Sequence, residues 1–364
     1  PRCIIYNMRS ILDDVTYSAT KAYSYRGGII DAQTITSLTE SSDLDELVTK
    51  LKATPYDAAV SRISTPYSAR KIEKACYEHV SDIHCKLMKT SPAGELLSAY
   101  YLKHIARNLK IILKGKALGK SETELEEYVD LYTEELIGRR DLLVKVMTAD
   151  TLQDAVDSLS GSEFYKDIIT ALKMYNDNPQ INIFDVYIDK AYHTQLVNTY
   201  TELDTTSIPM TESISVKLRP IISHYIDSYN VISVLRAKQW NFDTEQIKEI
   251  LIKPTFDIKH KKLNQMALTD DVETAMKMLE STSFRRFIPT SFDNLADTIS
   301  MLDSNIKNYE YHKFNKVFVW NAFTDLVSLA LIRVKEFEAA NIATISFGIE
   351  NNIETKTIQE NLTQ

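Results

Sequence analysis

Residues 101–126 read YLKHIARNLKIILKGKALGKSETELE, and the pattern of this stretch recurs twice further along the chain. Its anchor is Asn108, which is followed by apolar residues at positions +1, +4 and +17; the same offsets hold after Asn230 and Asn341. We call this pattern the asparagine block. Its apolar residues are Leu109, Ile112 and Leu125 in the first copy, Val231, Val234 and Ile247 in the second, and Ile342, Ile345 and Ile358 in the third. Three copies of one pattern predict three similar structural units.

Helix-start chemistry lies inside the first two asparagine blocks. Ser121 is followed three residues later by Glu124, and Asp243 is followed at the same spacing by Gln246. A capping side chain with Glu or Gln three positions later is the capping-box pattern of a helix N-terminus. The third copy keeps the apolar spacing but lacks this pair. Each block therefore predicts a helix that ends, a turn, and a second helix that begins.

A second pattern, the leucine block, also occurs three times with unchanged offsets. Apolar residues spaced by three and four form one helical face, and a Thr or Ser follows, with an aromatic residue two positions later. Its central leucines are Leu51, Leu159 and Leu279, which we expect to anchor three equivalent small cores. The copies are Leu44, Leu47, Val48, Leu51, Thr54, Tyr56, Val60; Leu152, Ala155, Val156, Leu159, Ser162, Phe164, Ile168; and Val272, Ala275, Met276, Leu279, Thr282, Phe284, Ile288.

These repeats and the composition predict an all-α protein of three pseudo-threefold helical units. The 364 residues contain only 8 Gly and 9 Pro, which favours helices over tight hairpins. The predicted domains are 1–140, comprising repeat one with an N-terminal extension, 141–255 and 256–364. Polar stretches at 176–182 and 204–220 are predicted to be connections.

Charge and hydropathy exclude several classes of function. The formal net charge of −8 opposes a nucleic-acid surface, which needs clustered Lys and Arg. The longest strongly apolar run, at 327–332, is far shorter than the roughly 20 residues that cross a bilayer. Three cysteines make no disulfide framework, and the first residues do not resemble a signal peptide. We expect a protein of the reducing cytoplasm.

Sequence motifs for chemistry are weak throughout the chain. Residues 115–121 (GKALGKS) resemble a phosphate-binding loop but have three residues, not four, between the glycines, so we interpret them as an interhelical turn. Cys76, His79, His84 and Cys85 lie too far apart along one helix to hold a single zinc ion. No nucleophile elbow or zinc-protease motif occurs. We therefore predict no catalytic residue, no metal ligand and no cofactor.

Basic residues recur at matching positions after the first two asparagines. Position +6 is Lys114 or Arg236, and position +8 is Lys116 or Lys238. Positive charge near a helix C-terminus is stabilising by itself, so a local role is one interpretation. The alternative is that these four residues steer and orient an acidic partner surface. The third copy departs from the pattern, with Phe347 and Ile349.

The order and spacing of the blocks resemble the C subunit of A-type ATP synthases, which is equivalent to the d subunit of V-type ATPases. The stretches that carry the resemblance are residues 101–126, residues 226–250 (IDSYNVISVLRAKQWNFDTEQIKEI) and residues 334–362 (VKEFEAANIATISFGIENNIETKTIQENL). Residues 44–56 and 154–164 resemble the family's other recurrent block. The individual motifs are loose, and the resemblance extends over most of the chain beyond about residue 20.

The resemblance implies a funnel-shaped helical socket that carries torque in a rotary ATPase. The socket would receive central-shaft subunits of the D and F type at its mouth and would rest on the membrane proteolipid ring. The protein would then be a peripheral, non-catalytic part of a large hetero-oligomer at the cytoplasmic face of a membrane. The alternative is a helical repeat scaffold that grips an unrelated peptide or protein. A helical enzyme is a third hypothesis, which needs an activity in the isolated chain.

Overall fold

The chain folds as helices. The computed structural model describes residues 2–205, 214–290, 294–322, 324 and 326–363. It is 74% helical, and the described residues contain no strand, so the predicted all-α class is confirmed. None of the described helices combines the length and the apolar character needed to cross a lipid bilayer.

The helices belong to two compact units. Unit 1 comprises residues 1–98 and 308–364, and unit 2 comprises residues 99–307. The three-domain division at residues 140 and 255 stays a prediction. In chain order the helices are α1 (Arg2–Arg26), α2 (Ala32–Thr39), α3 (Leu44–Leu51), α4 (Asp57–Val60), α5 (Ala69–Met88), α6 (Gly94–Ala117), α7 (Glu122–Glu126), α8 (Leu131–Glu135), α9 (Arg140–Thr148), α10 (Leu152–Asp157), α11 (Tyr165–Asp177), α12 (Asn182–Thr205), α13 (Ile214–Gln239), α14 (Thr244–Glu249), α15 (His260–Leu268), α16 (Val272–Lys277), α17 (Leu295–Trp320), α18 (Leu326–Glu350) and α19 (Thr355–Glu360), with 3-10 turns at Met278–Ser281 and Ser283–Phe287.

One of the two predicted connections differs from the structure. Residues 178–181 do join α11 to α12, as the polar stretch at 176–182 indicated. The prediction for 204–220 is wrong where it can be compared, because 204–205 end α12 and α13 begins at Ile214 with Pro220 inside it. Residues 206–213 lie outside the described residues. Tertiary packing of the long helix outweighs the local signal of one proline here.

Each anchor asparagine forms two hydrogen bonds with the backbone of the residue 22 positions later, one as donor and one as acceptor. The side-chain amide donates to a carbonyl, and its oxygen accepts from the N–H of the same residue. The pairs are Asn108 with Asp130 (2.9 and 2.9 Å), Asn230 with Ile252 (3.1 and 2.8 Å) and Asn341 with Thr363 (2.9 and 2.9 Å). All three asparagines are buried. Each one therefore fastens the segment after a short helix to the preceding long helix, and we call this contact the asparagine stitch.

The turn between the two helices of each block is also the same in all three copies. Position +11 has a left-handed backbone, with φ of 72° at Gly119, 59° at Asn241 and 54° at Asn352. The next N–H donates to the carbonyl five residues back, at 2.9, 2.9 and 2.8 Å, which makes a Schellman-type helix end. Both predicted capping boxes form, whereas the third short helix has no side-chain cap.

A small residue stands at position +7 of every asparagine block. A Cβ atom added to Gly115 would lie 2.2 Å from Cδ2 of Leu125, and one added to Gly348 would lie 2.4 Å from Cδ1 of Ile358. The second copy has Ala237, which is fully buried. The apolar residue at +17 thus packs directly over the last turns of the long helix. This close approach explains why the position holds only Gly or Ala.

We expect Gly348→Ala to destabilise the protein by about 1–3 kcal/mol, the usual cost of overpacking a buried contact. In an uncrowded helix the same change stabilises by roughly 0.5–1 kcal/mol, so the sign reports the clash. Urea unfolding measures it. Ile358→Ala in the same chain removes both clashing atoms, Cδ1 and Cγ1, and should make the double variant less destabilised than the two single changes added together. Stabilisation by Gly348→Ala alone would refute the close contact.

The leucine blocks form three short capped helices with buried centres. Asp43, Thr151 and Asp271 cap α3, α10 and α16 through backbone N–H groups. Leu51, Leu159 and Leu279 are each 0% exposed. The aromatic residues that follow, Tyr56, Phe164 and Phe284, are equally buried. The structure therefore places all three leucines in apolar interiors.

Two of the leucine blocks lie beside an asparagine block from a different repeat, and the helix before the remaining one does so as well. In unit 1 the first leucine block shares one core with the third asparagine block, including Leu51, Tyr56, Ile342 and Ile358. In unit 2, α13 of the second asparagine block contacts α16 of the third leucine block. Helix α7 contacts α9, the helix directly before the second leucine block. The packing partner of a block is thus found in the neighbouring repeat.

A buried ion pair joins α18 to the segment after α1 in unit 1. Lys335 Nζ donates to Glu338 Oε1 and to the carbonyl of Gly28, both at 2.6 Å. The other carboxylate oxygen, Oε2, accepts from the N–H of Ile30 at 2.6 Å. The two side chains are 1% and 5% exposed. Because the contacts with Gly28 and Ile30 span more than 300 residues of chain, we call this arrangement the Lys335 clamp.

Candidate partner-binding residues

The cations at position +6 form ion pairs within unit 2. Lys114 lies in the last turn of α6, and its Nζ is 2.9 Å from Oδ2 of Asp185 on α12. Arg236 lies in the last turn of α13, and its Nη2 is 3.1 Å from Oδ2 of Asp303 on α17. Both cations thus connect a helix end to a helix of the following repeat. Their side chains keep 32% and 43% exposure, so each pair is only partly desolvated.

The lysines at position +8 bind the carbonyl ends of two short helices. Lys116 Nζ donates to the carbonyl of Ala149, the residue that ends α9. Lys238 Nζ donates to the carbonyl of Thr269, the residue that ends α15. A cation at a helix C-terminus satisfies carbonyls that have no partner inside the helix. Burial lowers the pKa of Lys238, and Asp271 and Asp270 partly oppose that shift.

All four predicted basic residues therefore have partners inside their own unit, which supports the local interpretation directly. Contact with a second protein stays a prediction for Lys114, Lys116, Arg236 and Lys238. In the third copy, Phe347 is 57% exposed and Ile349 packs partly against the core of unit 1. The sequence pattern identified matched positions, but it carried no signal for their acidic and carbonyl partners.

A charge swap separates the two interpretations. Lys114→Glu places two carboxylates together, and it should lower the free energy of unfolding by up to about 1 kcal/mol. Asp185→Lys in the same chain rebuilds the pair and should restore the unfolding midpoint. Assembly with partner subunits is then measured on the stable swap. Normal assembly would leave only the local role, whereas weak assembly of a stable swap would support partner contact.

Glu134 belongs to an acidic stretch whose sequence predicts a solvated helix face, and that prediction is wrong for this residue because its carboxylate is buried beneath Asn108. Glu134 is 1% exposed, and its Oε1 accepts from Nδ2 of Asn108 at 3.2 Å. Burial raises the pKa of Glu134 to about 7, although the hydrogen bond from Asn108 and the charge of Arg139 act in the opposite direction. The second copy has Phe256 at the corresponding position, 26 residues after its asparagine. Only the first stitch of the described chain is therefore coupled to an acidic side chain in this way.

The raised pKa of Glu134 predicts how stability depends on pH. The folded protein holds this proton more tightly than the unfolded chain, so stability falls as pH rises from about 4.5 to about 7. Glu134→Gln removes the buried charge and keeps an acceptor for Asn108. The free energy of unfolding of this variant, relative to that of the wild type, should therefore rise by up to about 3 kcal/mol between pH 5 and pH 8.

Urea unfolding at both pH values measures this difference. Asp227→Asn is the control, because burial also raises the pKa of Asp227, to about 6, at a different place in unit 2. In this control the contribution of Asp227 to the pH dependence of stability should vanish, while the contribution of Glu134 remains. An unchanged pH profile in Glu134→Gln would contradict the assignment to this residue.

The chain matches a family model over nearly its whole length. The model is described as the ATP synthase (C/AC39) subunit, and the match covers residues 19–361. This range includes all three leucine blocks, and all three asparagine blocks as far as their apolar residue at position +17.

Three curated relatives of the chain share one name. The chain is 22% identical to the A-type ATP synthase C subunit of Methanocaldococcus jannaschii, over 98% of this chain and 88% of that protein. It is 23% identical to the protein of that name from Methanosphaera stadtmanae, over 91% of this chain and 83% of the relative. The Thermococcus onnurineus protein of that name is 22% identical, over 95% of this chain and 89% of the relative.

Proposed function

Because the chain belongs to the ATP synthase (C/AC39) subunit family, we propose that it is the non-catalytic rotor subunit of an A-type or V-type rotary ATPase. It couples the central shaft to the membrane proteolipid ring during ATP-linked proton or sodium transport. The observation that carries this proposal is the family match over residues 19–361. Because the match is nearly full-length, the proposal concerns the whole chain and not one shared module.

The three asparagine stitches support a pseudo-threefold funnel as the working form of this subunit. Each copy has the same pair of amide hydrogen bonds, the same left-handed turn and a small residue, Gly or Ala, beneath the second helix. Three copies of one helix–turn–helix, each held by its asparagine stitch, can together form a ring-like socket. The proposed socket holds shaft subunits of the D and F type and rests on the proteolipid ring.

Transmitting torque requires joints that resist deformation, and the described contacts supply them within each unit. The stitches satisfy buried backbone groups, so opening one costs about 1–3 kcal/mol per group left without a partner. In unit 2, Lys114 and Arg236 add ion pairs between a helix end and the next repeat. The proposed location is peripheral, at the cytoplasmic face of a membrane.

Co-purification from the source organism tests the proposal. An affinity-tagged chain should bring down shaft subunits, proteolipid and nucleotide-binding subunits in fixed ratios, and the isolated chain should not hydrolyse ATP. Deleting its gene should uncouple ATP hydrolysis from ion pumping in membrane vesicles. Recovery of an unrelated peptide or protein without rotary subunits would favour the scaffold alternative. ATP hydrolysis by the pure chain would contradict the non-catalytic role.

A further inference from the structure

Four lysines surround the start of α15 in unit 2. Residues 253–262 read KPTFDIKHKK and contain Lys253, Lys259, Lys261 and Lys262, which we call the lysine patch. One carboxylate, Asp257, lies in the same stretch. The whole protein has a formal net charge of −8, so this local excess of positive charge is opposite in sign to the chain around it.

The backbone that presents the patch is held rigidly from beneath. The carboxylate of Asp227 is 0% exposed and accepts from the N–H groups of Phe256, Asp257 and Ile258, at 3.2, 2.5 and 3.1 Å. Ile258 is buried, so the apolar side of the loop faces the interior. The lysines at 253, 259 and 261 are exposed. A fixed loop that projects cations into solvent is pre-organised to bind an anionic surface.

No ammonium group of the patch has a hydrogen bond or an ion pair among the residues that the structure describes. This differs from Lys114, Lys116 and Lys238, all of which have partners. The two ends of the stretch also act on one another. Burial lowers the pKa of His260, and the positive charge of Lys253 lowers it further, as expected of neighbours in space.

The two counterparts of α15 each begin beside an acidic side chain. Helix α2 starts after Asp31, whose carboxylate caps the N–H of Thr34 at 2.7 Å. Helix α9 starts after Arg139, which forms a two-point ion pair with Glu163 at 2.5 and 3.0 Å. The residue 120 positions after Glu163 is Ser283, so the third copy lacks this acid. No ammonium group of the patch is therefore paired with an acid among the described residues, whereas Asp31 and Glu163 supply an acid at the start of α2 and α9.

We propose that the lysine patch is a docking surface for a carboxylate-rich face of another protein. This inference rests on the proposed function and makes that protein a neighbouring subunit of the rotary complex. Lysines on an exposed surface steer and orient an acidic partner, mainly by raising the association rate. Carboxylates of the partner then form the ion pairs that these lysines lack within their own chain.

A membrane surface fits the patch less well than a protein does. Stable peripheral binding to lipid needs a second signal besides positive charge, such as exposed apolar side chains that enter the acyl layer. Within the stretch, Ile258 is buried and Phe256 is half-buried. The overall negative charge of the chain also opposes an anionic bilayer.

A triple reversal, Lys253→Glu, Lys259→Glu and Lys261→Glu, tests the proposal in the full chain. The matched control reverses Lys52, Lys89 and Lys173, which are also exposed, so both variants change the net charge equally. The first probe is a poly-L-glutamate peptide in rising NaCl. The wild type and the control should bind it in a salt-sensitive manner, and the patch variant should lose at least about tenfold in affinity.

The remaining measurements separate the patch from the proposed function. In reconstituted complexes the patch variant should dissociate at lower salt than the control, while thermal unfolding of the two variants stays similar. Failure of the wild type to assemble would count against the proposed function, and the peptide measurement would still decide the patch. Equal peptide binding by the wild type and the patch variant would overturn the inference. Tighter patch-dependent binding to phosphatidylglycerol vesicles than to the peptide would also overturn it, in favour of a membrane.

Discussion

Lys335→Met is expected to destabilise the protein by about 3–5 kcal/mol, since it leaves Glu338 as an uncompensated buried charge. The Lys335 clamp is almost fully shielded from solvent, with exposures of 1% and 5%. The substitution also leaves the carbonyl of Gly28 without its donor. Urea unfolding followed by circular dichroism measures the change.

An exposed pair provides the matched control for the clamp. Lys277 Nζ lies 2.6 Å from Glu273 Oε1, the same distance as in the clamp, but the side chains are 57% and 48% exposed. Lys277→Met should therefore leave the urea unfolding midpoint almost unchanged, because solvent screens an exposed pair. Similar costs for the two lysines would show that burial of the clamp does not govern its contribution.

The clamp also has a spectroscopic readout. The pKa of His79 is lowered to about 4, first by burial and then by the positive charge of Lys335. In Lys335→Met the second cause is removed, so the pKa of His79 should rise. Titration by nuclear magnetic resonance detects this shift, provided that His79 stays as buried in the folded variant as in the wild type.

Leu51→Ala, Leu159→Ala and Leu279→Ala should each cost about 2–5 kcal/mol, because each leaves a cavity in a filled interior. All three leucines are 0% exposed and lie at the same place in the leucine block. Differences among the three costs will show how far the surrounding side chains close each cavity. Denaturant midpoints of the three single variants provide the measurement.

Leu268→Ala is the control for these truncations. Leu268 is 62% exposed on α15, so its removal should be close to neutral. The helix propensities of Leu and Ala differ little, which leaves burial as the variable. Costs at Leu51, Leu159 and Leu279 no larger than that at Leu268 would falsify their assignment as core anchors.

Local features of this fold could be read from the sequence because their causes lie within a few residues. The capping boxes at Ser121 and Asp243 form as their spacing predicted, and the helical class follows from composition and periodicity. The clamp could not be read in this way. Lys335 and Gly28 are 307 residues apart, and a lysine on an apolar helix carries no mark of a distant carbonyl partner.

The candidate binding residues show the same limit in another form. Counting from the asparagines found Lys114 and Arg236, but the acids that pair with them stand on helices with no shared motif. Counting from helix starts instead would have compared Asp31, Arg139 and Lys259 and exposed the run at 259–262. The cluster of lysines is therefore visible in the sequence when the repeats are aligned at their helix starts, but not when they are aligned at the asparagines.

The shared core of unit 1 has a consequence for the order of events during synthesis. Leu38, Leu51 and Val80 complete their packing with Ile342 and Ile358, which leave the ribosome more than 250 residues later. Unit 2 is one continuous segment, residues 99–307, so all of its own contacts are available before that point. The usual vectorial order, in which the first-made domain folds first, is therefore reversed. The apolar faces of α2, α3 and α5 therefore stay uncovered during synthesis until α18 and α19 have been made.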